Sequence, residues 1–294
     1  MPPSSPLTVE QIRKAARLLS RLRPAYAAML AFYADVFVAQ ETAKGEIALE
    51  PIQLSSATLQ TRRREQSALV APSDLRIDAA AGERLLIRLC DLIVAHGTKI
   101  QAAAQTVREA VTTNRQNPST LFTAVLHRQD AAIHAAADEI GVNGQALAFL
   151  AYNAIQPSLA LGAEQLATYL DHQAVWSKGF CPVCGSRPAL AILGLEGRRE
   201  LHCRYCRHAW RAPRLCCAFC ENSQSKTLHY FFAENEKDLR VDVCERCQRY
   251  LKSVDRREAA RPLIPALEQI ASLHLDIIAT DKGYAADPDL NLAT

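Results

Sequence analysis

The chain has 294 residues, 49% of them hydrophobic and 22% charged, with a formal net charge of +3 at pH 7. That balance excludes a largely disordered chain and allows one large domain or two of moderate size. No uninterrupted apolar run precedes Glu10, Arg13 and Lys14, so the start does not read as a secretory signal and the expected compartment is the cytoplasm.

From residue 7 to about 170 the pattern is helical and rich in alanine. Thr8 and Gln11 form a capping box, with Leu7 placed to staple against Ile12, so a first helix is predicted to begin there. The pattern weakens between Glu41 and Asp78, where "TRRREQ" lacks the apolar segment of a twin-arginine export signal and reads as a solvated charge run. A helix is predicted behind Asp78, presenting Leu85, Leu86, Leu89, Cys90, Leu92 and Ile93 on one apolar face and stopping at His96-Gly97, which makes Cys90 a small core residue. Asn117-Pro118 is a cap with a first-turn proline; Asn143 caps a further helix, which Pro157 kinks or ends. Six or seven helices are expected in this half. The charge-free stretch from Ile140 to Ala163 is long enough to span a bilayer, but Asn143, Gln145, Asn153, Gln156, Pro157 and Ser158 mark it as buried helices, so no membrane span is expected.

Composition changes near Trp176. "RPALAILGLEGRREL" predicts two short strands around Gly194 to Gly197, and "KTLHYFFAENEKDLRVDV" two more around Glu234-Asn235. Helical spacing returns after Asp255 and ends at Gly283, with the last ten residues a loose tail. The expected architecture is α+β: a helical bundle (1–175), a tandem metal-ribbon module with short β-hairpins (176–258), and a C-terminal helix with its tail (259–294).

Nine of the ten cysteines lie between Cys181 and Cys247. Eight form C-x-x-C pairs: Cys181/Cys184, Cys203/Cys206, Cys217/Cys220 and Cys244/Cys247. Eighteen residues separate the first two pairs and twenty-three the last two, spacings that suit a hairpin carrying two tight turns onto one tetrahedral ion. Sequential pairing is the default, and spacing alone also leaves crossed pairing open. In each turn two thiolates face one cation while backbone N–H groups stabilise the sulfurs. Pro182 stiffens the first turn and Gly185 permits a positive φ behind it; Arg207, Glu221 and Gln248 hold the corresponding places and depart from that glycine pattern. A closed set of four thiolates suits Zn²⁺ and a single rubredoxin-like iron alike.

Cys216 reads as a spare ligand, a redox-sensitive thiol or a small buried residue, and is left outside the ligand set. His202, His208 and His229 flank the cysteines, but four sulfurs already complete each site, so polar or packing roles are expected. Tyr205, Trp210, Tyr230, Phe231 and Phe232 are expected to fill the small cores between hairpin and metal. Residues 181–260 hold fifteen Lys and Arg against ten Asp and Glu, a basic surface open to nucleic acid or an acidic protein partner. No phosphate-cradling loop, G-x-S-x-G or H-E-x-x-H occurs, and saturated metal sites leave no position for substrate, so a binding role is expected and not an enzyme.

"FCPVCGSRP" (180–188), "LHCRYC" followed by Trp210, "CAFCEN" (217–222), "LHYF" (228–231), "CERCQRYLK" (244–252) and "KGY" (282–284) together resemble the FdhE family of formate dehydrogenase accessory proteins. The resemblance is specific over about 181–252 and less distinctive in the helical half. It implies a cytoplasmic bacterial protein needed for respiratory formate dehydrogenase, acting on the catalytic subunit before export. It also implies rubredoxin-like iron at Cys181, Cys184, Cys203, Cys206, Cys217, Cys220, Cys244 and Cys247, with zinc as the alternative; Cys216 departs from the family pattern. Competing expectations are a nucleic-acid-binding zinc ribbon and a C-x-x-C thiol oxidoreductase.

Overall fold

The computed structural model describes residues 7–234, 236–259 and 261–287. Eight α-helices come first among these: α1 (Val9–Leu22), α2 (Ala27–Lys44), α3 (Ser56–Glu65), α4 (Ala79–Ala95), α5 (Gln101–Thr112), α6 (Pro118–Leu126), α7 (Asp130–Ile140) and α8 (Gly144–Ala167). This exceeds the expected six or seven, because α3 forms in the stretch of weak pattern and Arg128, in the left-handed region at φ 54°, breaks one apolar run into α6 and α7.

The predicted caps are in place. Thr8 and Gln11 complete the capping box of α1. Asp78 accepts from the Ala81 N–H at the head of α4, Asn117 caps α6, and Asn143 accepts from the N–H groups of Gln145 and Ala146. Cys90 is fully buried in the face of α4 that packs on the bundle core, and burial pushes its thiol up to about 12. The charge-free stretch forms one helix, not several: α8 continues through Pro157 and is long and apolar enough to cross a membrane, but 89% of its central window is buried within the protein. A helix apolar all round belongs in a core, and the other helices supply it.

The rest of the chain contributes β1 (Pro188–Leu193), β2 (Arg199–Cys203), β3 (Ala209–Ala212), β4 (Leu228–Phe232), β5 (Leu239–Cys244) and β6 (Arg249–Asp255). The two expected hairpins are present as β1–β2 and β4–β5, both antiparallel; of the second turn, Asn235 lies outside the described residues. Each hairpin gains a third strand directly behind its fourth cysteine, β3 in the first unit and β6 in the second. The six strands make one sheet in the order β3-β2-β1-β6-β5-β4, joined where β1 runs parallel to β6 with Ala191 opposite Ser253 and Leu193 opposite Asp255. The tandem repeat in sequence is therefore also a repeat along the sheet.

The single C-terminal helix expected from the spacing is two, α9 (Pro265–Ala271) and α10 (Leu273–Asp281), ending at Gly283 with φ 85°. Leu275 and Ala279 of α10 cover one face of the sheet with Leu190, Val241 and Val254. The tail begins ordered: Ala285 forms a parallel bridge with Arg249, and Asp287 pairs with Arg204 and Arg249. Residues 288–294 lie outside the described residues.

Candidate metal centres

The eight cysteines gather into two groups, Cys181, Cys184, Cys203 and Cys206 in one and Cys217, Cys220, Cys244 and Cys247 in the other, with all sulfurs of a group within 4.8 Å of one another. Sequential pairing is thus the arrangement present. The shortest S···S distances are 3.6 Å (Cys184–Cys203, Cys217–Cys247) and 3.7 Å (Cys181–Cys206, Cys220–Cys244). A disulfide requires about 2.05 Å, whereas a tetrahedron with metal–sulfur bonds of about 2.3 Å has edges of about 3.8 Å. The donor set fits a four-coordinate thiolate ion.

The local chain explains the convergence. The residue after each pair adopts the left-handed conformation: Gly185 (φ 73°), Arg207 (60°), Glu221 (58°) and Gln248 (55°). The three non-glycine turns therefore take the shape that glycine permits, at a cost on the order of 1 kcal/mol each. The turns close through Gly185, Glu221 and Gln248 N–H groups donating to Cys181, Cys217 and Cys244 carbonyls at 2.8–3.1 Å. Cys181, Cys203 and Cys217 N–H groups donate to Ser186, His208 and Asn222 carbonyls at 2.8–2.9 Å. The expected N–H to sulfur contacts appear from Tyr205 to Cys203 and from Phe219 to Cys217, each 3.4 Å.

Electrostatics point the same way. Burial drives the thiols of Cys181 and Cys206 well above their usual range, while hydrogen bonds from Cys181, Cys203 and Cys206 hold Cys184 well below it. In the second group burial pushes Cys217 up, and Cys247 to about 11. Burial also opposes ionisation of Cys244, but the Asn222 amide, 3.5 Å from its sulfur, and nearby backbone N–H groups outweigh it and bring the thiol to about 7. Four sulfurs so crowded can all be thiolates only around a cation.

The two sites differ in setting. The first is sealed, its cysteines at most 3% exposed and continuous with the bundle core. Leu69 and Val70, behind α3, donate backbone N–H groups to Pro182 and Val183 carbonyls at 2.9 and 3.0 Å. The Tyr152 hydroxyl of α8 lies 2.8 and 3.0 Å from the Arg204 and Tyr205 carbonyls. Arg207 donates to Gln40 Oε1 at 2.8 Å and lies over Phe37, and Arg128 donates to Ser186 Oγ at 2.9 Å beside Tyr205. Among the described residues the second site has no such cover, and Cys220 and Cys247 are partly exposed.

Among the described residues no histidine joins a sulfur group. His202 pairs with Glu200 and His229 with Glu245, and burial pushes His208 down to about 4. Cys216, partly buried, points its thiol at the Cys217 carbonyl 3.6 Å away and lies outside the second group. Tyr205 and Trp210 are buried as expected and Phe231 partly so, but Tyr230 and Phe232 are 57% and 49% exposed, a correction to their expected core role. As members of an edge strand they have a neighbour on one side alone. Sequence reasoning missed Tyr152, Gln40 and Asn222, since nothing local to them announces a contact so distant in the chain.

Residues 215–292 match the family described as the C-terminal domain of FdhE. An FdhE homolog of Aquifex aeolicus is 32% identical over 150 residues, 50% of this chain and 52% of that protein. One of Klebsiella pneumoniae subsp. pneumoniae is 34% identical over 140 residues, covering 45% and 44% of the two chains. The matched part thus spans about half the length of these curated relatives. The crystal structure of the FdhE protein from Pseudomonas aeruginosa has the same fold, with a TM-score of 0.67 over 98% of this chain and 97% of that one at 21% identity.

Proposed function

We propose that this chain, whose residues 215–292 match the C-terminal domain of FdhE and which is 32% identical to an FdhE homolog over half its length, is a non-enzymatic accessory protein that holds two metal ions and docks the immature catalytic subunit of a respiratory formate dehydrogenase in the cytoplasm. The observation that carries this reading is the pair of convergent four-sulfur groups in tandem, one locked to the helical bundle and one facing outward. Cys181, Cys184, Cys203 and Cys206 would hold the first ion, and Cys217, Cys220, Cys244 and Cys247 the second. We take the ion to be rubredoxin-like iron, with Zn²⁺ compatible with the same four-thiolate donors. When bound, it supplies cross-linking between hairpins and, as iron, one-electron chemistry. The surrounding residues do the rest: Tyr152, Arg207 and Arg128 fix the first knuckles to the bundle, so the ribbons form a rigid platform for the partner.

Affinity capture of the tagged protein from anaerobically grown cells, with mass spectrometry of what is retained, tests the reading. Enrichment of a formate dehydrogenase catalytic subunit is expected. Retention of nuclease-sensitive nucleic acid without that subunit would replace it with the nucleic-acid reading.

A further inference from the structure

The six-stranded sheet has two edges, and they are treated differently. The outer edge of β3 is covered: Trp176 donates its N–H to the Arg211 carbonyl at 2.8 Å, and the Arg211 guanidinium donates to the Gln173 carbonyl at 2.6 Å. At the other edge Leu228 donates its backbone N–H to the Ser225 carbonyl of the preceding turn, and along 229–232 of β4 no backbone hydrogen bond reaches the strand from outside the sheet among the described residues. Proteins usually guard such an edge with charges, proline or a bulge. Here it carries Tyr230 and Phe232, exposed and packed edge to face with ring centroids 5.6 Å apart. Leu215, 63% exposed, adds to them across a cavity of about 70 Å³ that Tyr230 also lines. Aromatic surface beside an unpaired row of backbone groups is the substrate for strand addition, in which main-chain bonds give affinity and alternate side chains give specificity.

Charge narrows the occupant. Exposed Arg214 lines the cavity with Tyr230, exposed Lys226 and Lys237 lie just before and after β4 in the chain, exposed Arg246 follows Cys244 of its partner strand, and none of the four pairs with an acid among the described residues. The carboxylates nearby are mostly engaged, Glu245 with His229 and Asp242 with Arg199 and Arg240, leaving Glu234. We propose that β4 is the docking edge for an extended segment of the partner polypeptide, which adds a seventh strand with apolar side chains on Tyr230 and Phe232 and acidic residues at its flanks. This rests on the partner reading above and specifies where the partner binds. The partly exposed second metal site stands behind this edge, since its Cys244 is the cross-strand partner of Leu228.

The test uses the full-length, metal-loaded protein and purified cofactor-free catalytic subunit of formate dehydrogenase. Binding is measured by calorimetry for wild type, for the Tyr230→Glu/Phe232→Glu double variant and for Leu215→Asp, whose side chain lies outside the sheet. Metal content is measured on each, and amide exchange of 228–232 is followed with and without the subunit. Expected are binding at least about tenfold weaker in both variants with both metals retained, and slowed exchange of β4 in the wild-type complex. Wild-type binding with unchanged affinity in Leu215→Asp and in a metal-replete double variant would overturn the edge proposal while leaving the accessory reading intact. No binding by wild type would overturn both. Self-association lost in the variants, with subunit binding unchanged, would assign the edge to a second copy of this chain and overturn the proposal.

Discussion

Replacing Tyr152 with phenylalanine removes one oxygen atom and little else, at the point where the longest helix meets a metal knuckle. The hydroxyl is buried within hydrogen-bond reach of two carbonyls, those of Arg204 and Tyr205, both inside the Cys203-x-x-Cys206 turn. The lost hydrogen bond is worth about 1 kcal/mol, and a buried carbonyl left without its donor costs a further 1–3 kcal/mol. The ring remains to pack against Tyr205, whose centroid is 5.9 Å away, so no cavity forms. We expect a loss of about 2–4 kcal/mol, read as a lower midpoint in chemical denaturation of the metal-loaded protein. The effect should be local to the first site: with a chromogenic chelator, release of one of two metals accelerates and the other keeps its wild-type rate. A change below about 0.5 kcal/mol, or acceleration confined to the second site, would refute the claim that α8 clamps the first knuckle pair.

Three further outcomes follow from the same geometry. Cys184→Ser strikes the sealed site and is expected to loosen the ribbon from the bundle, with loss of cooperative unfolding, whereas Cys220→Ser leaves bundle helicity by circular dichroism and the main unfolding transition close to wild type. At Gln248, φ 55°, a valine is expected to destabilise by about 1–2 kcal/mol and a glycine to be neutral or slightly stabilising, measured by denaturant midpoints. His208 is held neutral by burial, its pKa lowered to about 4, so the unfolded chain binds its proton first as pH falls from 6.5. Stability from this group is complete above about pH 7 and is lost between 6.5 and 4, about 3 kcal/mol in all. The stability difference between wild type and His208→Gln should move by that amount across the window, and a flat difference would show that His208 is not the group responsible.

What the sequence disclosed depended on whether the cause was local. Caps are local: Thr8, Asp78, Asn117 and Asn143 each satisfy N–H groups within three residues, and all four helix starts lie where these residues predict. The eight sulfurs were legible because C-x-x-C confines two ligands to one turn, though their sequential grouping needed the fold. The glycine pattern misled in part, since the left-handed position is imposed by the closure of the turn and Arg207, Glu221 and Gln248 adopt it regardless. Strands β3 and β6 were missed because each lies immediately behind a knuckle, with the C-x-x-C turn itself serving as the loop that pairs it with the strand before, and only the parallel pairing of β6 with β1 is distant in sequence. Exposure of Tyr230 and Phe232 was unreadable, as only sheet order places β4 at an edge.

The central claim is that this chain carries two closed four-thiolate metal centres. Native mass spectrometry of anaerobically purified protein, with X-ray absorption at the metal edge, tests it most directly. The account predicts two ions per chain, each surrounded by four sulfurs at about 2.3 Å. A metal-free chain with oxidised C-x-x-C pairs, or a single ion with mixed oxygen and nitrogen ligands, would contradict it.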